Sequence, residues 1–256
     1  GCDQVRLMNR ISAVVLLACF AVPGLARAEE KQAEGKSAEG KQVDKKLAGV
    51  EAELKANFKK LKTYSAKLSS ITEIKQHGME MSMDMKGTLE GMNAGDKHLY
   101  RMDSTVTMKM PENMPAAAGG ERSSLSVCDG DYTYQLTDMM GTKQANKIKA
   151  DGGQLPWERM RETHELKLLP AEKVDGHDCY VVEAKSKSAG MGQPGRFVIY
   201  CRKDLGMMVK QLVYNTDGQV LNTTTITDIK VNPDIKPDRF KFVAPEGVTV
   251  MDRTGG

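Results

Sequence analysis

Residues 79–110 read MEMSMDMKGTLEGMNAGDKHLYRMDSTVTMKM. Two runs in which apolar and polar side chains alternate flank the tetrapeptide Asn93-Ala94-Gly95-Asp96. A period of two is that of a strand with one buried and one wet face, and Asn, Gly and Asp are the residues of tight turns. Strands joined by so short a turn run antiparallel. The spacing predicts strands over 79–92 and 97–110. The same alternation continues outward and predicts strands over 65–76, 122–128, 131–138, 142–149, 164–169, 177–186, 196–203, 207–216 and 218–231, with Asp129-Gly130 and Asp217-Gly218 as further turns.

Upstream the period changes. Leu47, Val50, Leu54, Phe58, Leu61 and Tyr64 recur every three or four residues with Lys and Glu between them, the pattern of one amphipathic helix. Pro111 to Glu121 is a Pro/Gly/Ala loop, and Pro156-Trp157-Glu158-Arg159-Met160 predicts a short helix with proline in its first turn. The expected fold is mainly β: a strongly curved antiparallel sheet, an incomplete barrel, with an N-terminal helix and a short lid helix over an apolar cavity.

Residues 8–28, MNRISAVVLLACFAVPGLARA, have the parts of a secretory leader: a basic start at Arg10, an apolar run from Ile11 to Val22, and the small-x-small site Ala26-Arg27-Ala28. The apolar run is too short to span a bilayer. Residues 1–28 are therefore set aside as leader, with Met8 as its start and cleavage expected after Ala28. Leu16-Leu17-Ala18-Cys19 offers an alternative in which Cys19 is lipidated and anchors the chain. Residues 29–46, EEKQAEGKSAEGKQVDKK, lack apolar bulk and read as a disordered charged tether. The domain is expected over 47–256, in the periplasm.

The 256-residue chain carries 37 basic and 34 acidic residues, and loss of the leader leaves a net charge of about +1. That balance gives no electrostatic footprint for nucleic acid. The histidines His77, His98, His164 and His177 are scattered, no HExxH or GxSxG is present, and Gly190–Gly195 matches GxGxxG but leads into Arg196-Phe197-Val198-Ile199, an apolar strand pattern. A glycine loop without a helix behind it holds no pyrophosphate. The sequence thus reads as a non-enzyme without cofactor. Cys179 and Cys201 fall in consecutive predicted strands and, if the connection folds symmetrically near Gly190, face each other; a disulfide is expected, with two buried thiols as the alternative and Cys128 free.

Met79, Met81, Met83 and Met85 share one face of their strand, with Glu80, Ser82, Asp84 and Lys86 on the other. A turn centred on Ala94-Gly95 would set Met79 opposite Met110, Met81 opposite Met108 and Met83 opposite Val106. Three readings fit such a stripe: ordinary core, an adaptable surface for flexible apolar ligands, or soft thioether ligands for Cu(I). Strand cores favour Val and Ile, so the site is assigned to a ligand patch of Met79, Met81, Met83, Met85, Val106, Met108 and Met110, with Trp157 from the lid.

From Leu47 to Asp252 the chain resembles the outer-membrane lipoprotein carrier (LolA-like) superfamily. The resemblance rests on an N-terminal helix running into Leu61-Lys62-Thr63-Tyr64, the hairpin Val127-Cys128-Asp129-Gly130-Asp131-Tyr132-Thr133-Tyr134, and Asp178-Cys179-Tyr180-Val181-Val182-Glu183. It rests also on the ending, Asp228-Ile229-Lys230-Val231-Asn232 followed by Phe240-Lys241-Phe242-Val243-Ala244-Pro245-Glu246-Gly247-Val248-Thr249-Val250. The resemblance implies a monomeric periplasmic carrier that takes lipid acyl chains or lipoproteins from an inner-membrane export complex toward an outer-membrane acceptor. An envelope lipid-sensing regulatory module of the same fold and a periplasmic Cu(I)-binding protein are the rival expectations.

Overall fold

In the computed structural model the described residues are 38–76, 79–111, 119–139, 142–152, 155–188 and 194–255. The leader, Cys19, residues 29–37 and most of the Gly190–Gly195 loop lie outside them.

A single sheet of twelve strands dominates: β1 (Thr63–Gln76), β2 (Met79–Ala94), β3 (Lys97–Lys109), β4 (Gly120–Cys128), β5 (Tyr132–Met139), β6 (Thr142–Lys149), β7 (His164–Val174), β8 (His177–Ser186), β9 (Arg196–Arg202), β10 (Met208–Tyr214), β11 (Val220–Val231) and β12 (Val250–Asp252). Their spatial order is β12-β6-β5-β4-β3-β2-β1-β11-β10-β9-β8-β7. The sheet is strongly curved and does not close into a barrel. All pairs are antiparallel except β12, which lies parallel to β6. Eleven strands stand where alternation places them. The twelfth is three residues long, too short for a periodic signal. It ends a C-terminal strap that crosses the outer face, where Phe242 stacks on Tyr134 at 5.0 Å and Arg239 bonds Glu90 at 2.7 Å.

The helix α1 (Ala38–Lys60) begins within the segment expected to be a disordered tether. Ala, Glu, Lys and Gln are good helix formers, so the helix fixed downstream extends backward through them. Leu47, Val50 and Leu54 pack on Val182, Ile199 and Cys201 of β8 and β9, together with Leu155 and Trp157. Burial of such a stripe, at ~25 cal/mol per Å2, is what holds an otherwise polar helix to the sheet. The β9–β10 turn rises to meet it. Gly206, at φ 68°, sits so close that a Cβ there would lie 1.9 Å from the Leu54 carbonyl oxygen, and Asn57 Nδ2 donates to the Lys203 carbonyl at 2.7 Å.

The expected lid helix is a single 3-10 turn, Glu158–Met160. It is a brace. Trp157 is fully buried, its indole N–H donates to Glu51 Oε1 of α1 at 2.7 Å, and Arg161 bonds the same carboxylate.

The expected disulfide does not form: Cys128, Cys179 and Cys201 are free, buried thiols. In the β8–β9 pair Cys201 stands opposite Tyr180 and Cys179 opposite Arg202. That offset of one residue sends the two thiols to opposite faces, Cys201 into the cluster under α1 and Cys179 into the cluster of Val181, Val198, Tyr200 and Val209.

Candidate functional site

The face of β1–β3 that continues the surface under α1 is built from alternate residues. Tyr64, Ala66, Leu68, Ser70, Thr72 and Ile74 of β1 stand opposite Gly91, Leu89, Gly87, Met85, Met83 and Met81 of β2. β3 adds Tyr100, Met102, Ser104, Val106 and Met108 opposite Gly91, Leu89, Gly87, Met85 and Met83. This is the side of the sheet on which α1 packs.

One end of it is closed. There Phe58 of α1 meets His98 at 5.0 Å between ring centroids, Tyr64 Oη lies 3.0 Å from His98 Nε2, and Cys128 donates weakly to the His98 carbonyl at 3.5 Å. Burial holds the His98 imidazole down to about 4 and pushes the Tyr64 phenol up. Both groups are therefore neutral at pH 7 and share a single proton across this contact. A Cβ at Gly91 would lie 2.2 Å from the Tyr64 ring, so only glycine lets that ring lie flat on β2.

Beyond this plug the floor becomes apolar. Ala66, Leu68, Met102 and Ile226 form one buried cluster, with Met85, Leu89 and Met208 packed against it. The methionine ladder leads outward from that cluster, with Met81, Met83, Met85, Val106, Met108 and Met110 all half-buried. Its cross-strand pairs differ from those expected: Met83 faces Met108 and Met85 faces Val106. Both turn residues are Gly95 and Asp96, because Ala94 pairs with Lys97. Asn93 is held in the strand by α1, its Nδ2 donating to the Phe58 and Leu61 carbonyls at 2.8 and 2.9 Å. Moving the turn by one residue keeps every side chain on its expected face. Met79 pairs with Gln76 at the far end of β2. Trp157 is not part of this patch; it belongs to the core under α1.

The opposite face is polar. Glu80, Ser82, Asp84 and Lys86 alternate with the methionines. On that face lies a cavity of about 460 Å3 lined by Lys86, Thr88, Asp103, Thr105, Ser123 and Leu125 among others.

A polar network in the middle of the α1 side escapes pattern reading. Ser70 of β1 and Asn222 and Thr224 of β11 are buried. Asn222 Nδ2 donates to Ser70 Oγ at 2.8 Å, to Thr72 Oγ1 at 2.8 Å and to the Ile71 carbonyl at 3.3 Å, while the Thr224 hydroxyl donates to Asn222 Oδ1 at 3.0 Å. The Ser70 and Thr224 hydroxyls are 3.0 Å apart. The signal available in the sequence is that SSIT in β1 and NTTTIT in β11 are polar at both parities, where a half-buried strand has one apolar parity.

Among the described residues no group of three or more His, Cys, Asp or Glu side chains is placed to hold a metal ion. No described helix is long and apolar enough to cross a membrane.

An open, strongly curved antiparallel sheet carrying one long helix on a face is the architecture anticipated from the sequence. No protein-family model matches the chain. A curated uncharacterised protein of Methanocaldococcus jannaschii is 30% identical over 135 residues, 50% of this chain and 37% of the relative, so the chain spans little more than a third of that protein's length. Among solved structures, an uncharacterised conserved protein from Thermus thermophilus is 12% identical, with a TM-score of 0.47, over 81% of this chain and 99% of the other. MucB in the Pseudomonas aeruginosa MucA/MucB complex is 13% identical, with a TM-score of 0.45, over 77% of this chain and 61% of the other. A putative outer membrane lipoprotein-sorting protein domain from Vibrio parahaemolyticus is 14% identical, with a TM-score of 0.35, over 75% and 94%. These are likenesses of general architecture.

Proposed function

We propose that this chain is an exported, periplasmic carrier that binds lipid acyl chains or lipoproteins against the concave face and passes them on toward the outer membrane, performing no chemistry. The observation that carries the reading is the division of the β2–β3 hairpin. Half-buried Met81, Met83, Met85, Val106 and Met108 occupy one face, continuous with the buried Leu68, Met102 and Ile226, and the charged residues Glu80, Asp84 and Lys86 occupy the other. Thioether chains have no branch at Cβ and reshape around a flexible guest, which a Val or Ile ladder does not do. The α1 plug at Tyr64 and His98 closes one end, so a guest enters from the methionine end.

Met81→Asp and Met83→Asp each place a carboxylate in the path of the guest and should weaken uptake of a fluorescent long-chain fatty acid by about tenfold or more. Ser82→Asp, on the opposite face, should leave uptake unchanged. Circular dichroism of each variant serves as the control for folding. Equal loss in the three variants, or full uptake by the two methionine variants, would overturn the assignment.

A further inference from the structure

Side-chain hydrogen bonds among Ser70, Thr72, Asn222 and Thr224 tie β1 to β11. The Thr224 hydroxyl donates to Asn222 Oδ1 at 3.0 Å and lies 3.0 Å from the Ser70 hydroxyl. Asn222 Nδ2 donates to Ser70 Oγ at 2.8 Å and closes a ring of three side chains. Thr72 stands outside the ring. It accepts from Asn222 Nδ2 at 2.8 Å, and among the described residues its own hydroxyl proton has no acceptor.

Thr72 is half-buried on the α1 side of the sheet, opposite Met83 of the methionine ladder and beside Ser70. Its register neighbours on that face, Met83 and Asn222, and its same-face strand neighbours Ser70 and Ile74, include no cation. A carboxylate brought to this position would lose its hydration against nothing positive, which is costly. A neutral carbonyl loses far less and gains the waiting donor.

We propose that Thr72 is a recognition point for the neutral acyl carbonyl, ester or amide, of the guest: the hydroxyl donates to that oxygen while the hydrocarbon tail runs over Met83, Met85 and Met108. The ring behind Thr72 fixes the hydroxyl, because Asn222 is itself pinned by Ser70, Thr224 and the Ile71 carbonyl. The inference rests on the acyl-binding reading above and adds which functional group of the ligand is read and by which residue.

The test compares two fluorescent monoalkyl glycerol probes of equal chain length, one an ester and one the ether that lacks the carbonyl, binding to the mature chain. The wild type should prefer the ester by about fivefold. Thr72→Val keeps the shape and leaves Asn222 Nδ2 with Ser70 and Ile71 as acceptors; it should bring ester and ether to equal affinity without weakening the ether. Thr72→Ser should restore the preference. Equal binding of both probes by the wild type, a preference that survives in Thr72→Val, or tighter binding of the matching fatty carboxylate than of the ester would overturn the assignment of Thr72 while leaving the acyl site standing. Failure of the wild type to bind either probe would overturn the acyl site itself.

Discussion

Acid should loosen this protein well above the range in which its carboxylates titrate, and His98 is the reason. The imidazole is enclosed by Phe58, Tyr64 and Tyr100, and burial holds it down to about 4 against an ordinary value of 6.5. A group whose folded value lies below its unfolded one takes up protons preferentially in the unfolded chain between the two. Stability is therefore fully present above about pH 6.5 and falls as pH drops toward 4. Taking both values through the linkage relation, acidifying from pH 8 to pH 5 costs at most ~2 kcal/mol. With a urea slope of ~2 kcal/mol per M, the unfolding midpoint should drop by ~1 M. His98→Gln keeps a hydrogen-bonding partner for the Tyr64 hydroxyl and removes the titration. Its midpoint should be nearly flat between pH 8 and pH 5, apart from a smaller contribution from His164, whose imidazole burial also holds down. Asp204, Asp228, Asp238 and Asp252, held below their ordinary values by the hydrogen bonds of Arg202, Lys67, Lys241 and Thr254, lose their contribution only at lower pH. Urea titrations at pH 8, 7, 6 and 5 on both proteins decide the matter. Parallel midpoint curves for wild type and His98→Gln would refute the reasoning.

Two glycines should respond in opposite directions. Gly91→Ala drives a methyl into the buried Tyr64 ring and should cost ~1–3 kcal/mol, read as a drop of several degrees in Tm, whereas Gly49→Ala, exposed in α1 with nothing within 4 Å of the added carbon, should gain ~0.5–1 kcal/mol. Cys128, Cys179 and Cys201 are buried, and burial pushes all three thiols up. The mature folded protein should therefore react slowly with a thiol reagent and titrate three thiols after denaturation without reductant, where recovery of only one would restore the Cys179–Cys201 bond.

The strands were legible because each carries its own evidence. Alternation over 79–92 or 177–186 needs no knowledge of the rest of the chain, and the helix stripe from Leu47 to Leu61 is equally local. Where the sequence reading stopped short, a second element intervened. The hairpin turn moved to Gly95-Asp96 because α1 takes the Asn93 side chain, and nothing in NAGD reveals that the Phe58 and Leu61 carbonyls need it. Trp157, read as a ligand contact, is withdrawn into the core by Glu51, a residue 106 positions away. The start of α1 failed differently. Residues 38–46 lack apolar bulk, and the disorder reading weighed that lack above their helix propensity, which the fixed helix downstream only had to extend.

The fates of the two hairpins show which site statements survive an error in register. In β2–β3 the turn centre moved by a whole residue, which changes every partner but leaves odd residues of β2 facing even residues of β3. Met83 lost Val106 and gained Met108, yet the ladder kept its face, so a surface property such as an apolar patch was readable in spite of the slip. In β8–β9 the centre moved by half a residue, with Cys179 opposite Arg202 instead of Cys201. That reverses the parity, and a property that depends on one atom meeting one other atom was lost. The polar network is more distant still from the sequence, because Ser70 meets Asn222 only through the β1–β11 pairing that closes 152 residues of chain. Patches follow from periodicity, bonds between neighbours from turn length, and networks from strand order. A recognition point such as Thr72 therefore becomes visible only when the order of the strands is known, although the apolar surface it serves is already written in the alternation of a single strand.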